Sequence, residues 1–218
     1  MKQFTCSMNP NWTALLKTQG VNDPKVLDPA AAKLSQLHFK VDVNGDGNAK
    51  ISHNEIPAEN DQVAEGLKQI YGGMEQMTTG FFQTWSVFVI NPPLPDPDTP
   101  IELETTPNQY RIKYLEGATR VGVDMGKDYS VTSVHASTAD FDSVIRPRFT
   151  ASGKGLLMNG YDASYQGTGG KDKTELQVAL EYQDVSGMKV PRKLELKGSY
   201  NGASFAVEVV FDGCTASK

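Results

Sequence analysis

The densest group of chemically capable side chains lies between residues 42 and 55. Asp42, Asn44 and Asp46 alternate with other residues, Gly47 follows, and Asn48, Lys50, His53 and Glu55 complete the run. Carboxylate and amide oxygens on alternate residues can converge on one centre, and a glycine permits the bend that this requires. A hard cation such as calcium takes six to eight such oxygens. Asp42, Asn44 and Asp46 would supply such side-chain oxygens. The same composition also suits an Asx-rich turn that binds no metal. Residue types alone leave both readings open.

The run Asp42-Val43-Asn44-Gly45-Asp46-Gly47 resembles the opening of the EF-hand loop, and Ile51 stands four residues before Glu55 as that family's hydrophobic residue stands before its closing glutamate. The family closes at loop position 12, which His53 holds here, and Glu55 falls two residues later. The resemblance implies a helix–loop–helix, calcium as cofactor, and Asp42, Asn44, Asp46, Asn48, Lys50 and Glu55 as the ligand set. With no second loop visible, it implies a structural site and not a paired calcium switch.

Other chemistry is sparse. His38, His53 and His135 share no spacing that would bring two onto one helical face, and nothing fits a zinc-protease helix, a nucleophile elbow or a phosphate loop. Gly153-Lys154-Gly155 and Gly167 to Lys171 read as flexible hairpin ends, and the pairs Asp96/Asp98 and Asp140/Asp142 as solvated loop charge. A non-enzymatic protein is expected. Cys6 and Cys214 stand near opposite ends of the chain. Chain ends often lie close together in a compact domain, so the two could form a disulfide suited to an oxidising compartment; two unrelated thiols are the alternative.

The elements that would position these groups follow from periodicity. Residues 23–40 read as a helix with Asp28 as cap and Pro29 in the first turn, and residues 54–77 as a second helix with Val63, Leu67, Ile70, Met74 and Met77 in one stripe. From Phe81 the period shifts toward 2, so residues 81–90 read as a strand. Five prolines between 91 and 100 make a stiff connection, preferred as a loop within one domain. Strands are expected at 109–115, 119–125, 128–135, 156–165, 176–182, 189–197 and 205–211, joined by short turns and hence antiparallel. The class is α+β: an N-terminal helix–loop–helix, then a curved antiparallel sheet or half-open barrel packed on a long helix, with residues 1–56 as the first segment and 57–218 as the second.

Composition narrows the partners. A net charge of −5 and a pI near 5.2, without a dense Lys/Arg cluster, argue against nucleic acid or an anionic membrane surface. No apolar run approaches the length of a membrane-spanning helix. The 20 glycines and 12 prolines favour a turn-rich β protein.

The helix leading into Phe81-Phe82-Gln83-Thr84, the later Tyr182-x-x-Val185-x-Gly187-Met188-x-Val190-Pro191 and the final alternating strand together resemble the LolA-type periplasmic lipoprotein carriers over about residues 60–213. That resemblance implies a half-open β-barrel whose cavity holds acyl chains or another hydrophobic ligand, with a lipid, lipoprotein or small apolar molecule as partner. Trp85, Phe88, Tyr110, Ile112, Tyr114 and Leu180 would line its wall, beside Val207 and Val209. Residues 1–6 hold no signal-length apolar run, which leaves a cytosolic protein or one whose signal peptide has been removed; the carrier resemblance implies the second, a periplasmic or secreted protein. The rival expectation is a calcium-stabilised protein-interaction module with no ligand cavity.

Overall fold

The computed structural model describes residues 3–153, 155–170 and 172–217; Lys154 and Lys171, expected in hairpin ends, lie outside them. In chain order the elements are strand β1 (Gln3–Pro10), helices α1 (Trp12–Thr18) and α2 (Pro24–Leu34), strands β2 (Phe39–Val43) and β3 (Ala49–His53), and helix α3 (Asp61–Val89). Nine strands follow: β4 (Glu102–Thr105), β5 (Gln109–Glu116), β6 (Thr119–Gly126), β7 (Val131–Ser137), β8 (Phe141–Ser152), β9 (Gly155–Gly167), β10 (Thr174–Val185), β11 (Met188–Tyr200) and β12 (Ala203–Ser217). They pair antiparallel in the order β3-β2-β1-β12-β11-β10-β9-β8-β7-β6-β5-β4, without closure between β3 and β4. The expected α+β class is thereby corrected. The N-terminal region contributes three strands to an open, mostly antiparallel-sheet architecture in place of the helix–loop–helix that was to precede a curved sheet or half-open barrel.

The chain divides into two compact units, one of Met1–Asn91, Glu181–Leu194 and Val207–Lys218, the other of Pro92–Leu180 and Glu195–Ala206. The first crossing falls at Asn91–Pro92, inside the proline tract that was expected to be a loop within one domain, and not at residue 56.

In the first unit, β1 is a regular alternating strand. Phe4, Cys6, Met8 and Pro10 are buried, and their partners on β2 (Val43, Val41, Phe39) and β12 (Phe211, Val209) are buried with them. Alternate side chains of a strand share one face, so this ladder presents a continuous apolar surface. Helix α3 covers part of it. Asn60 caps the helix by accepting from the Val63 N–H, and Leu67, Met74, Thr78, Phe81, Phe82 and Trp85 form its buried stripe. Phe82 meets Phe4 at 6.0 Å and Phe211 at 5.7 Å between ring centroids, both edge to face. Trp85 donates from Nε1 to the Tyr182 hydroxyl at 3.1 Å, and burial pushes Tyr182 up to about 12 despite that donor.

Residues 81–90, expected as a strand, are therefore the last turns of α3 and its C-cap. Phe81, Phe82 and Trp85 continue the three- and four-residue spacing of the stripe, and an aromatic-rich run satisfies both periods until its burial decides. The helix expected over 23–40 stops at Leu34, with Asp23 and not Asp28 as its cap and Pro24 at its first position.

The Asp/Asn-rich run is a β-hairpin. Asp42 stands opposite Lys50 and Val43 opposite Ala49. Asn44 closes the turn: its Oδ1 accepts from the backbone N–H groups of Asp46 at 3.0 Å and Asn48 at 2.9 Å, and its own N–H donates to the Asn48 carbonyl. Gly47, at φ +86°, is buried against α3, where an added methyl would overlap the Ser86 side chain. The helix end also reaches back, Asn91 donating to the Asp46 carbonyl at 3.3 Å.

In the second unit, β4 to β9 form an antiparallel meander, extended by the first residues of β10 and the β11–β12 hairpin. Val121, Val123, Val134, Tyr161, Ala163 and Val178 are buried on one face. The Asn201-Gly202 turn forms as expected, with both residues at positive φ.

Cys6 and Cys214 form a disulfide that ties β1 to β12 across 208 residues. Replacing both with alanine removes that restraint on the unfolded chain and should cost about 3 kcal/mol, roughly a 10 °C fall in melting temperature. Equal melting of the variant and the oxidised wild type would show that the strand pairing alone carries this stability. For the hairpin, Gly47→Ala meets both positive φ and the Ser86 overlap, and should destabilise by about 2 kcal/mol. Asn44→Ala should cost about 1 kcal/mol through its lost turn bonds. Urea denaturation reads both, and neutral outcomes would mean the turn tolerates other geometries.

Candidate functional site

The second unit contains a hollow of about 890 Å³ on the β5–β6–β7 surface, bordered by residues 99–102. Register explains why it forms there. Arg111 pairs with Asp124, Lys113 with Gly122 and Leu115 with Arg120 across β5 and β6; Asp124, Gly122 and Arg120 pair with Ser133, His135 and Ser137 across β7. These residues share one face, and Gly122 is its missing side chain. A methyl built there meets only the Cβ of His135, at 3.8 Å. Lys113 and His135 thus stand on either side of a gap, with Leu115, Arg120 and Ser137 toward one end and Pro100 and Ile101 along the border.

Beside the hollow lies a connected polar group. Arg111 grips the buried Asp124 with Nε at 2.5 Å from Oδ1 and Nη2 at 3.0 Å from Oδ2. Ser133 Oγ donates to Asp124 Oδ2 at 2.8 Å, and His135 Nε2 lies 3.1 Å from Ser133 Oγ and 3.6 Å from that carboxylate. The Arg111 bonds, reinforced by Ser133, hold Asp124 below the usual carboxylate range against the opposing effect of burial. Lys113 is paired with Glu104.

The Asp–Ser–His order has consequences for chemistry. The Ser133 hydroxyl has one proton and gives it to Asp124, so His135 does not hold that proton as the base of a nucleophilic serine would. Serine stands between acid and histidine, whereas a triad has histidine between. The group fixes charge in place and generates no nucleophile.

The metal ligands implied by the sequence are not assembled. Asn44 Oδ1 is occupied by two backbone donors. Asp42 Oδ1 accepts from Thr5 Oγ1 at 2.5 Å and lies 3.1 Å from Lys40 Nζ, and these partners, Thr5 first, hold its carboxyl low. Asp46, Asn48 and Lys50 are exposed, and Glu55 lies beyond β3, exposed, in a different segment from the turn. His53 stacks on Tyr71 at 4.0 Å. Among the described residues no three His, Cys, Asp or Glu side chains gather as a metal-holding group. The residues present do not fit the calcium site of an EF-hand.

The six expected wall residues are dispersed. Trp85 is sealed in the first unit's core, and Phe88 follows it on the same helix, half-buried. Tyr110, Ile112 and Tyr114 are half-buried and alternate with the hollow's Arg111 and Lys113, hence share the other face of β5; Tyr114 contributes to the lining nonetheless. Leu180 is buried, while Val207 is half-buried and Val209 fully buried. The lining residues Ile101, Leu115, Arg120, Gly122 and His135 were missed. Their one sequence signal is glycine at an inner position of an alternating strand, Val121-Gly122-Val123.

Asp124→Asn should destabilise the protein by about 2 kcal/mol at pH 7, since Arg111 loses its ionic partner but can still reach water. Because the folded-state pKa of Asp124 is lowered, its contribution is present above the unfolded value near 4 and disappears as pH falls through the lower folded value. Wild-type and variant stabilities, measured by urea titration, should converge in that acid range. A gap independent of pH would assign the loss to packing.

Comparison with known proteins finds no matching family model, no similar curated protein and no matching solved structure.

Proposed function

We propose that the second unit is a non-catalytic binding module that holds a small molecule with a substantial apolar part in the hollow over Gly122, and that the protein works outside the reducing cytosol. The observation that carries this reading is the hollow itself. Its volume of about 890 Å³ is in the range of small-molecule sites, and such sites combine apolar walls with a few convergent polar groups. Ile101 and Leu115 leave 49% and 63% of their surface exposed at its border. Each would gain by burial under a ligand at roughly 25 cal/mol per Å². The Cys6–Cys214 disulfide supports an oxidising compartment, and no helix among the described residues is long and apolar enough to cross a membrane.

A protein-interaction module is the second reading, favoured by the unpaired outer edge of β4 with its exposed Leu103. Glu102 and Glu104 on that strand, and prolines before it, oppose edge-to-edge pairing with another chain.

Fluorescence of the neutral apolar probe N-phenyl-1-naphthylamine tests the first reading. The wild-type chain should bind it saturably, and Gly122→Leu, which fills the floor of the hollow where space is free, should weaken binding by at least about tenfold, 1.4 kcal/mol, with melting preserved. Absence of saturable binding, or equal affinity in the folded variant, would overturn the proposal.

A further inference from the structure

Four groups able to carry positive charge line the hollow: Arg111, Lys113, Arg120 and His135. Three are committed. Arg111 is held in a two-pronged pair by Asp124. Lys113 is paired with Glu104 and stands opposite Glu102 on the neighbouring strand. His135 is tethered through Nε2 toward Ser133 and Asp124.

Arg120 differs. Its cross-strand neighbours are Leu115 on β5 and Ser137 on β7, neither of them acidic. The structure gives its guanidinium no hydrogen bond or ion pair among the described residues, and gives none to the Ser137 hydroxyl either. An unpaired arginine in open solvent is ordinary, because water satisfies it. Here it borders a concave surface together with the exposed side chains of Leu115 and Ile101. A planar five-donor fork and a hydroxyl donor, side by side, match the oxygens of a carboxylate or phosphate, while the aliphatic side chains next to them match hydrocarbon.

Building on the reading of the hollow as a ligand site, we propose that its ligand is an anionic amphiphile. The acidic oxyanion head, a carboxylate or a phosphate monoester, is anchored by Arg120 with Ser137, and the apolar tail lies along Leu115 and Ile101. Arg120 sets the specificity for the head, because Arg111 and Lys113 already have carboxylate partners. The acidic chain as a whole repels anions, so this local cation is what offsets the net charge of −5 at the point of contact.

Displacement of N-phenyl-1-naphthylamine from the full chain, below micellar concentrations, tests this with three ligands of one tail: oleate, oleyl phosphate and methyl oleate. At least one charged ligand should displace the probe about tenfold more effectively than methyl oleate, and whichever of the two charged ligands binds tighter identifies the head group. Arg120→Gln should abolish that preference and Arg120→Lys restore part of it. Arg146→Gln, an equal charge change on an exposed β8 residue outside the lining, should leave the preference intact.

Equal displacement by methyl oleate, or a preference that survives in Arg120→Gln, overturns the head-group assignment while the apolar hollow stands. A preference lost equally in Arg146→Gln reduces the effect to net charge and also overturns it. If the wild type binds neither the probe nor any of the three ligands, the hollow itself fails as a ligand site and takes this inference with it.

Discussion

The pairing of the first strand with the last is the contact on which the first unit depends. β1 lies between β12 and β2, and the β2–β3 hairpin reaches the rest of the ladder only through it. Closing so distant a contact is entropically expensive, although the cost rises only logarithmically with loop length. Two features offset it here. Phe4, Cys6 and Met8 are buried on one face of β1 together with partners on both neighbouring strands, and the Cys6–Cys214 bond keeps the two strands close even in the unfolded ensemble. Gln183 adds a third tie, donating from Nε2 to the carbonyls of Pro191 and Phe211 and so bridging β10, β11 and β12.

Once that ladder exists, the positions of α3 and the hairpin follow. The ladder's apolar face accepts Phe81, Phe82 and Trp85, which obliges residues 81–89 to remain helical although their alternation also fits a strand. The helix end then lies against the β2–β3 turn, where Gly47 permits the close approach to Ser86 and Asn91 donates to the Asp46 carbonyl. The same side chains that suggested metal coordination are used by this packing. An amide oxygen that already accepts two backbone N–H groups, as Asn44 Oδ1 does, has its lone-pair directions occupied. Turn chemistry and calcium chemistry select nearly the same residues because both need short oxygen-bearing side chains and a flexible bend. The flanking elements distinguish them, and here these are strands.

The parts of the fold legible in the sequence were those whose local pattern had one solution. The alternations around 109–115, 119–125, 176–182 and 205–211 became β5, β6, β10 and β12, and Asn201-Gly202 became a turn. β1 alternates at Phe4, Cys6 and Met8, but no turn signal precedes it, so its pattern alone does not specify a strand. β8 was hidden by Pro147 between two arginines, a pattern that argues against a strand. Pro147 lies beyond the last β7–β8 pair, Val134 with Ile145, and next to an irregularity in the β8–β9 register at Arg148/Phe149, where a missing N–H costs least. The hollow was not legible at all. Arg111, Gly122 and His135 come together only through the register of three strands, and no spacing within one segment encodes that register.

What distinguishes the hollow physically is that several locally unfavourable choices coincide there. Glycine inside a strand, as Gly122 is, costs about 0.5–1 kcal/mol relative to alanine. Ile101 and Leu115 are aliphatic and largely exposed. Asp124 is a buried carboxylate, and a buried ion pair contributes little net stability because desolvation offsets most of its attraction. On the opposite face of the same strands, Val121, Val123 and Val134 are buried in the usual alternation. A cluster of such choices is what a surface shaped for binding would show, in line with the proposed ligand site. Among the described residues Arg111, Lys113 and His135 each have a polar partner, which leaves Arg120 as the lining cation without one.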